Sequence, residues 1–429
     1  MTGSVEREDA PGPESEGGRR ARFRGAAIQS LPALASPAFR TYWFGLMLAE
    51  GSVYMFQLTA AWLVYELTAP PLNVAFMLGV LGFCRTIPML AFVLIGGITA
   101  DRLGRRTMLL LTNSASATVG ASFGLLTLVG SINVWLVLAM TLLMGCTMAF
   151  NRPAHQAFIR DLVPIGSLQN AVAVSALVQN VLRIGAPLLA GLLLASGSAA
   201  VPLLLGAAGS AAMAILLLTV RVPHHAPSGA SILTSLGEVF HYIRADRLVA
   251  ALLLLETIPG LFALPFGTLL PIFADTIHGQ GARGLGLMQS LVGIGGLGGA
   301  LLLTLSSSSR GRGVLLIGAI TTFGSALIVF SLTAQWPLAL AMLALAGFAD
   351  ALYILTIFGL LLAKAPEHLR GRVMSVFTLA DAGMTPLGSL ILGGLAGLAG
   401  AQATLATSGA VVAASALGVA ARFPRLRRM

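Results

Sequence analysis

The stretch that decides the fold is Gly96-Gly97-Ile98-Thr99-Ala100-Asp101-Arg102-Leu103-Gly104-Arg105-Arg106. It reads as a short, strongly charged turn between two apolar runs, residues 72–100 and 107–129, each long enough to cross a bilayer as a helix. A turn with this charge does not lie in lipid, so it marks a membrane surface. Because Lys and Arg accumulate in cytoplasmic loops, its arginines predict that this surface is the cytoplasmic one.

The composition is that of a membrane protein. The chain has 429 residues, of which 56% are hydrophobic and only 10% are charged, whereas soluble domains carry about a quarter charged residues. Its mean hydropathy is +0.88. The formal net charge of +10 comes largely from arginines at span ends and chain termini, where lipid headgroups explain it, so we expect no nucleic-acid partner. The two cysteines, Cys84 and Cys146, lie in apolar runs and favour packing over a disulfide or a metal site.

Twelve apolar runs of spanning length follow one another, and a hydrophilic loop, residues 221–247, divides them into six and six. This pattern predicts an all-α membrane protein with an N-terminal six-helix bundle at 39–220 and a C-terminal one at 248–421. Residues 1–38 lack the apolar core of a signal peptide and are predicted to be a disordered cytoplasmic tail, and residues 422–429 a basic cytoplasmic tail. The predicted spans are 40–66, 72–100, 107–129, 134–158, 167–195, 199–220, 248–275, 284–306, 313–333, 337–363, 370–399 and 401–421.

Charge placement and internal similarity both support this count. The basic residues fall on segments predicted to face the cytoplasm, with only Arg283 on a predicted outer loop, so both termini are predicted to be cytoplasmic. The residues Ala186-Pro187-Leu188 in the fifth span match Thr385-Pro386-Leu387 in the eleventh. Two similar six-helix units around an axis normal to the membrane are typical of transporters, with the substrate path between them.

Charged residues inside spanning segments are costly and usually face a water-filled path or a partner. Six lie near the middle of predicted spans, and each sits on a polar stripe with helical spacing, such as Glu50, Tyr54 and Gln57 in the first span. We predict that these stripes line a central site for a substrate and for protons. The predicted site consists of Glu50, Tyr54, Gln57, Arg85, Arg183, Glu256, Gln289, Asp350, Tyr353 and Asp381.

The six charges comprise two arginines and four carboxylates, so the carboxylates are in excess. A carboxylate without a cation is costly to ionise within the membrane, and this suits a group that carries a proton. Asp381, Asp350 and Glu256 are the candidates for this role. In an alternative arrangement the six charges pair into buried salt bridges that hold the two halves together. A mixed arrangement, with paired arginines and one carboxylate left to titrate, also fits the sequence.

Motifs of soluble enzymes occur without the structure that they need. The run Gly293-Ile294-Gly295-Gly296-Leu297-Gly298 matches a dinucleotide-binding fingerprint, but it lies in an apolar span, where close helix packing explains it better. The single lysine, Lys364, follows no glycine loop, which excludes an ATP-binding P-loop. We therefore expect no enzyme activity, no cofactor and no metal.

The opening stretch resembles the loop signature of the major facilitator superfamily, with glycine, aspartate-arginine, a second glycine and paired arginines between Gly97 and Arg106. Residues 62–68, 152–157 and 369–375 resemble the branch that contains enterobactin exporters and macrolide efflux proteins. The resemblance covers nearly the whole predicted membrane region. It implies the major facilitator fold and secondary active transport by alternating access, most often the proton-coupled export of small lipophilic compounds.

We therefore expect a monomeric, multi-pass protein of the bacterial cytoplasmic membrane that exports a small amphiphilic compound, such as a drug, an antibiotic or a siderophore, by proton antiport. Its partners would be that small-molecule substrate and the lipid bilayer, with the proton gradient as driving force. The run from Ala186 to Gly191 resembles an antiporter signature but carries alanine at two glycine positions. An importer of a small nutrient and a non-transporting membrane sensor are the alternatives on the same fold.

The opening stretch also predicts a gate on the cytoplasmic side. Asp101 is expected to pair with Arg370 and Arg372 at the start of the eleventh span, where the positive end of the helix adds to the attraction, and so to close this side in the outward-open state. The predicted gate residues are Gly97, Asp101, Arg102, Gly104, Arg105, Arg106, Arg370 and Arg372.

Overall fold

The fold is described from a computed structural model of the chain, for residues 32–70, 72–220, 246–305, 311–367 and 369–424. For residues 93–98, 100–102 and 382 within these ranges, the backbone alone is described. The described residues form twelve helices of 16 residues or more. These are α1 (Pro37–Leu67), α2 (Val74–Leu103), α3 (Arg105–Leu128), α4 (Val134–Leu162), α5 (Leu168–Ala195), α6 (Ala200–Thr219), α7 (Arg247–Phe262), α8 (Gly281–Leu305), α9 (Arg312–Leu332), α10 (Trp336–Lys364), α11 (Arg370–Ala399) and α12 (Ala401–Arg422).

Eleven of the described helices are long and apolar enough to cross a membrane. The exception is α1, which has 31 residues but carries Glu50, Tyr54, Gln57 and Glu66 among its apolar residues. These polar side chains lower its mean hydropathy without shortening the helix. Length and composition therefore support eleven of the twelve predicted spans.

The opening stretch is mostly helical rather than a turn. Helix α2 continues through Asp101 and Arg102 to Leu103, and α3 begins at Arg105, so Gly104 alone separates them. Gly104 has φ of 84°, a backbone conformation that side chains with a Cβ rarely adopt. The prediction of a break was correct, but the break is one glycine long because that residue reverses the chain by itself.

The seventh predicted span, residues 248–275, is also different in the structure. Helix α7 ends at Phe262, and three short helical segments follow, Leu264–Thr268, Leu270–Ile272 and the π-helical Phe273–Ile277. Prolines at the starts of the first two segments interrupt the hydrogen-bond ladder of a continuous helix. An apolar run alone did not reveal these interruptions.

The packing of the first six helices recurs in the last six. In the first half, defined as α1–α6, the main contacts are α2 with α4, α3 with α6, α3 with α4, and α1 with both α5 and α6. The second half, defined as α7–α12, repeats every one of these pairs with helix numbers shifted by six. The largest cluster of buried apolar side chains lies mainly in the second half and includes Phe273, Phe323 and Phe330.

The two halves meet along two antiparallel helix pairs, α2 with α11 and α5 with α8. Small residues allow the backbones to approach closely. A Cβ added to Gly79 would lie 2.6 Å from the carbonyl oxygen of Ser389, and one added to Gly286 would lie 2.6 Å from that of Pro187. The predicted substrate path therefore runs between two halves that share tightly packed glycine-rich seams.

Candidate functional site

The first half contributes three arginines and one glutamate to the centre of the molecule. Glu50 on α1 and Arg85 on α2 are half-buried, and Arg152 on α4 and Arg183 on α5 are exposed. Gly145 of α4 packs against α2 so closely that an added Cβ would lie 2.7 Å from the carbonyl oxygen of Arg85. Because α2 and α4 pack closely, Arg85 and Arg152 lie on adjacent helices of the first half.

The second half contributes carboxyl groups and no arginine. Glu256 on α7 is 0% exposed, and neither of its carboxyl oxygens accepts a hydrogen bond from a described residue. Asp350 on α10 and Asp381 on α11 are half-buried, and one oxygen of Asp350 is buried without a hydrogen-bond partner in the described structure. Both aspartates lie within electrostatic range of Glu256.

The charges of the two halves face each other. Arg152 acts electrostatically on Glu50 within its own half and on Asp381 of the other half, and Arg183 acts on Asp350. We call these seven charged residues the central charged region: Glu50, Arg85, Arg152, Arg183, Glu256, Asp350 and Asp381. Among the described side chains, no ion pair within 4.0 Å joins any two of them. The described residues therefore do not form the buried salt bridges of the alternative arrangement.

The other predicted site residues divide into two groups. Tyr54, Gln57 and Gln289 are half-buried, and Tyr54 lies within electrostatic range of Glu50, Arg183 and Arg152. Tyr353, in contrast, is 0% exposed and stacks on Phe323 with ring centroids 5.9 Å apart. Tyr353 and Glu256 thus lie in the interior of the second half, and their part in the central site stays a prediction.

Sequence reasoning missed three residues at this centre: Arg152, His155 and Tyr42. The hydroxyl of Tyr42 hydrogen-bonds Nδ1 of His155, and Nε2 of His155 lies 3.4 Å from the side-chain amide nitrogen of Gln179. Arg152 and His155 lie inside the predicted fourth span, 134–158, but near its end, so they were not counted among the residues in the middle of the spans, and Tyr42 lies at the start of the first predicted span. The signal was nevertheless present, since residues 152–157 were already noted as a family-like motif.

Two predicted gate residues make contacts inside the first half. Arg105 donates to Asp161 at 2.7 Å, and Arg106 donates to the carbonyl oxygens of Leu217 and Leu218 at the end of α6, at 2.8 and 2.9 Å. These bonds hold α3 to α4 and α6. The side chains of Asp101 and Arg102 lie outside the described structure, so the pairing of Asp101 with Arg370 and Arg372 stays a prediction, as do the gate roles of Gly97 and Arg102.

At the opposite end of the bundle, side chains connect the two halves. The hydroxyl of Tyr65 at the end of α1 donates to Asp275 at 2.7 Å and lies 2.8 Å from the hydroxyl of Thr276. The side-chain amide of Asn73 donates to the carbonyl oxygen of Gly397 at 3.1 Å. This end is called the Tyr65 end, and the end that holds Arg105 and Asp161 is called the Arg105 end. The halves are therefore joined at the Tyr65 end.

A cavity of about 690 Å³ lies away from the central charged region, between α9, α10 and α12. Its lining is largely apolar with a few hydroxyl groups and no charged side chain, and includes Val314, Thr321, Met342 and Leu417. It offers no group that could hold a proton or pair with an ion.

Solved structures of low sequence identity have the same fold. The nucleoside transporter NupG matches with a TM-score of 0.68 and 15% identity over 89% of this chain and 99% of that one. A bacterial homolog of the human lysosomal transporter Spinster, in an inward-facing and unoccupied conformation, matches with a TM-score of 0.66 and 18% identity over 91% of this chain and 98% of that one. The chain therefore has the fold of a membrane transporter.

The sequence also matches a family model, that of the transmembrane secretion effectors, over residues 28–429. The chain belongs to this family of the major facilitator superfamily. It is accordingly a multi-pass protein of the cytoplasmic membrane and a transporter, not an enzyme.

Characterised relatives align over most of the chain. The multidrug efflux pump Tap of Mycolicibacterium fortuitum is 28% identical over 382 residues, which are 86% of this chain and 91% of Tap. The enterobactin exporter EntS of Citrobacter koseri is 28% identical over 330 residues, 75% of this chain and 77% of EntS. The staphyloferrin A transporter of Staphylococcus aureus is 25% identical over 342 residues, 74% of this chain and 80% of that protein. The resemblance to the exporter branch is thereby confirmed.

Proposed function

We propose that this protein exports a small amphiphilic compound across the cytoplasmic membrane by alternating access, in exchange for protons. All twelve long helices span the membrane in this proposal, and both termini lie in the cytoplasm. The names of the relatives support export, since a multidrug efflux pump and an enterobactin exporter are among them. A drug, an antibiotic or a siderophore is the expected kind of cargo.

The observation that carries the proton coupling is the environment of Glu256. An ionised carboxylate at this completely buried position would have neither a hydrogen-bond donor nor a cation within 4.0 Å among the described residues. Isolated buried charge is costly, and a bound proton removes the cost. Asp350 and Asp381, which act electrostatically on Glu256, add repulsion to any ionised state. Release of that proton therefore requires a rearrangement that brings water or a cation to Glu256.

The contacts between the halves support the alternating-access part of the proposal. If the Arg105 end faces the cytoplasm, as its basic residues indicate, then the bonds of Tyr65 and Asn73 close the outer side of the substrate path. The described conformation would be the inward-facing one, and transport would require these bonds to break. The halves would rock about the glycine seams of α2 with α11 and α5 with α8.

Transport by purified protein in liposomes tests this proposal. With an imposed proton gradient, the wild-type protein should accumulate at least one compound from a panel of lipophilic drugs and siderophores. Glu256→Gln copies the protonated carboxyl, so gradient-driven accumulation should fall at least about tenfold while exchange of the compound without a gradient continues. Glu66→Gln, which removes an exposed carboxylate at the end of α1, is the matched control and should transport normally.

Each part of the proposal has an outcome that would overturn it. Unchanged gradient-driven accumulation by Glu256→Gln would remove Glu256 as the proton carrier. Accumulation driven in the same direction as the proton movement would indicate an importer of the symport type. The absence of any transported compound would favour a sensor that kept the transporter fold.

A further inference from the structure

The three arginines of the central charged region form no close ion pair in the described structure, although carboxyl groups lie within electrostatic range of Arg152 and Arg183. Arg85, Arg152 and Arg183 come from three different helices of the first half and are half-buried or exposed. None has a carboxylate within 4.0 Å among the described residues. Arg152 also acts electrostatically on Arg85, so two guanidinium groups of like charge are held near each other.

Two other arginines of the first half do have partners in the described structure. Arg105 forms an ion pair with Asp161, and Arg106 donates to two carbonyl oxygens. A guanidinium group has five N–H donors in a planar fork that matches a carboxylate. The central arginines therefore retain N–H donors to which a bound anion can hydrogen-bond. Such an anion would also reduce the repulsion between Arg85 and Arg152.

An aromatic pair lies on the α2 face that carries Arg85. Phe92 follows Arg85 by seven residues, and therefore lies on the same face of α2 two turns further along. It stacks on Phe150 of α4 with ring centroids 6.0 Å apart and an interplanar angle of 23°. Phe92 is still 37% exposed, so the pair presents aromatic surface on the α2 face that carries Arg85, about 10 Å along the helix. A ligand that meets both features has one anionic end and one apolar body.

We propose that Arg85, Arg152 and Arg183 form an anion subsite, and that the compounds this protein transports are amphiphiles carrying a carboxylate or a similar planar anionic group. This inference rests on the proposed function, because it assigns a substrate class to the same central region. The arginines of the first half hold the anionic end, and the Phe92–Phe150 pair receives the apolar body. The carboxyl groups of the second half remain available to bind the proton.

Three fluorescent probes with the same apolar body test the subsite: pyrenebutyrate, its methyl ester and pyrenebutylamine. Binding to the purified full-length protein is measured in nanodiscs of phosphatidylcholine. Pyrenebutyrate should bind saturably and about tenfold to a hundredfold more tightly than the ester or the amine, as expected for charge-assisted hydrogen bonds. Arg152→Gln and Arg183→Gln should each abolish most of this preference without changing the affinity for the ester.

Matched variants separate the subsite from general effects of substitution. Arg160→Gln removes an exposed arginine from the same helix, α4, and should leave the preference intact. Arg152→Lys keeps the charge but loses the planar fork, so it should restore part of the affinity for the acid. A melting temperature equal to that of the wild-type protein shows for each variant that the fold is unchanged.

Several outcomes would overturn the inference. Equal affinity for the acid, the ester and the amine would do so, as would an acid preference that survives both glutamine substitutions. Loss of the preference in nanodiscs of phosphatidylglycerol would assign the arginines to lipid headgroups instead. If gradient-driven export of neutral or cationic compounds persists while the acid preference fails, the proposed function stands and the anion subsite alone is rejected.

Discussion

The two halves of this molecule pack their helices in the same pattern but carry opposite charges at the centre. The first half places Arg85, Arg152 and Arg183 around a single glutamate, and these arginines are accessible. The second half places three carboxyl groups there, one of them completely buried. The backbone packing of the two halves is therefore equivalent. The functional difference between them comes from the charged side chains at a few positions. In the proposed cycle the first half binds the cargo and the second half binds the proton.

The two halves also differ in one side-chain contact at the Arg105 end. The residue that caps α1 is Ser36, whose hydroxyl donates to the carbonyl oxygen of Leu162, the last residue of α4, at 2.9 Å. The residue that caps α7 is Asp246, whose carboxylate pairs with Lys364, the last residue of α10, at 3.1 Å. One geometric link between the first and fourth helices of each half is thus made by a neutral bond in one half and by an ion pair in the other.

The largest expected effect is at the seam that joins the halves. A Cβ at Gly393 would lie 2.6 Å from the Cα of Gly79, whereas Gly394 has nothing within 4 Å. Gly393→Val should destabilise the closed Tyr65 end by about 1–3 kcal/mol. Gly394→Val, one residue along, should have little effect. Ala75→Cys, at a buried position beside this seam, reports the change if Cys84 and Cys146 are first replaced by serine.

The measurement is the rate at which a maleimide labels the cysteine at position 75. The rate should rise about tenfold or more in the Gly393→Val background and stay constant in the Gly394→Val background. Equal labelling in both backgrounds would mean that the glycine seam does not hold this end closed.

A second comparison should distinguish the ion pairs of the two halves. The side chains of Arg105 and Asp161 are 24% and 9% exposed, and those of Lys364 and Asp246 are 27% and 26% exposed. Water screens the second pair more, so Lys364→Gln should cost less than about 1 kcal/mol. Arg105→Gln should cost about 1.5–3 kcal/mol, because Asp161 is left with less compensation. Unfolding midpoints in one detergent would compare them, and a larger loss for Lys364→Gln would contradict the difference in screening.

The smallest effect concerns pH. Partial burial raises the pKa of Asp246, but the hydrogen bond from Lys364 and those from the backbone N–H groups of Leu248 and Val249 outweigh it, so this pKa lies below its ordinary value. The carboxylate therefore stabilises the fold fully above the unfolded-state pKa of about 4, and the contribution disappears as pH falls through the lower folded-state pKa.

The two capping residues should consequently respond differently to acid. Asp246→Asn should cost up to about 1 kcal/mol at neutral pH, and the cost should vanish on acidification. Ser36→Ala, in the other half, should cost about 1 kcal/mol at every pH, since no charge is involved. Thermal unfolding from neutral to acidic pH measures both, and parallel pH profiles for the two variants would remove the assigned role of the Asp246 charge.

Much of the fold was predictable, because spanning length and charge placement are properties of the chain itself. Eleven of the twelve predicted spans meet the criteria of length and apolar composition, and the glycine run from Gly293 to Gly298 packs against a neighbouring helix as predicted. The end of α4 was not predictable in the same way. An apolar window stops where polar residues begin, whereas the helix continues to Leu162. Arg152 and His155 lie within the predicted span but near its end, and only the packing of α4 against α1, α2 and α5 places them at the centre.

The sequence by itself determined that the chain crosses a membrane many times, that it breaks between residues 96 and 106 and that charged residues lie inside its spans, whereas the structure placed the break at Gly104. These properties follow from hydropathy, from backbone sterics and from the cost of charge in lipid. Only the tertiary structure decided which charges meet, because helical spacing places a residue on a face but not opposite a particular neighbour. That arrangement leaves Glu256 buried without a partner and three arginines facing the other half without an ion pair in the described structure.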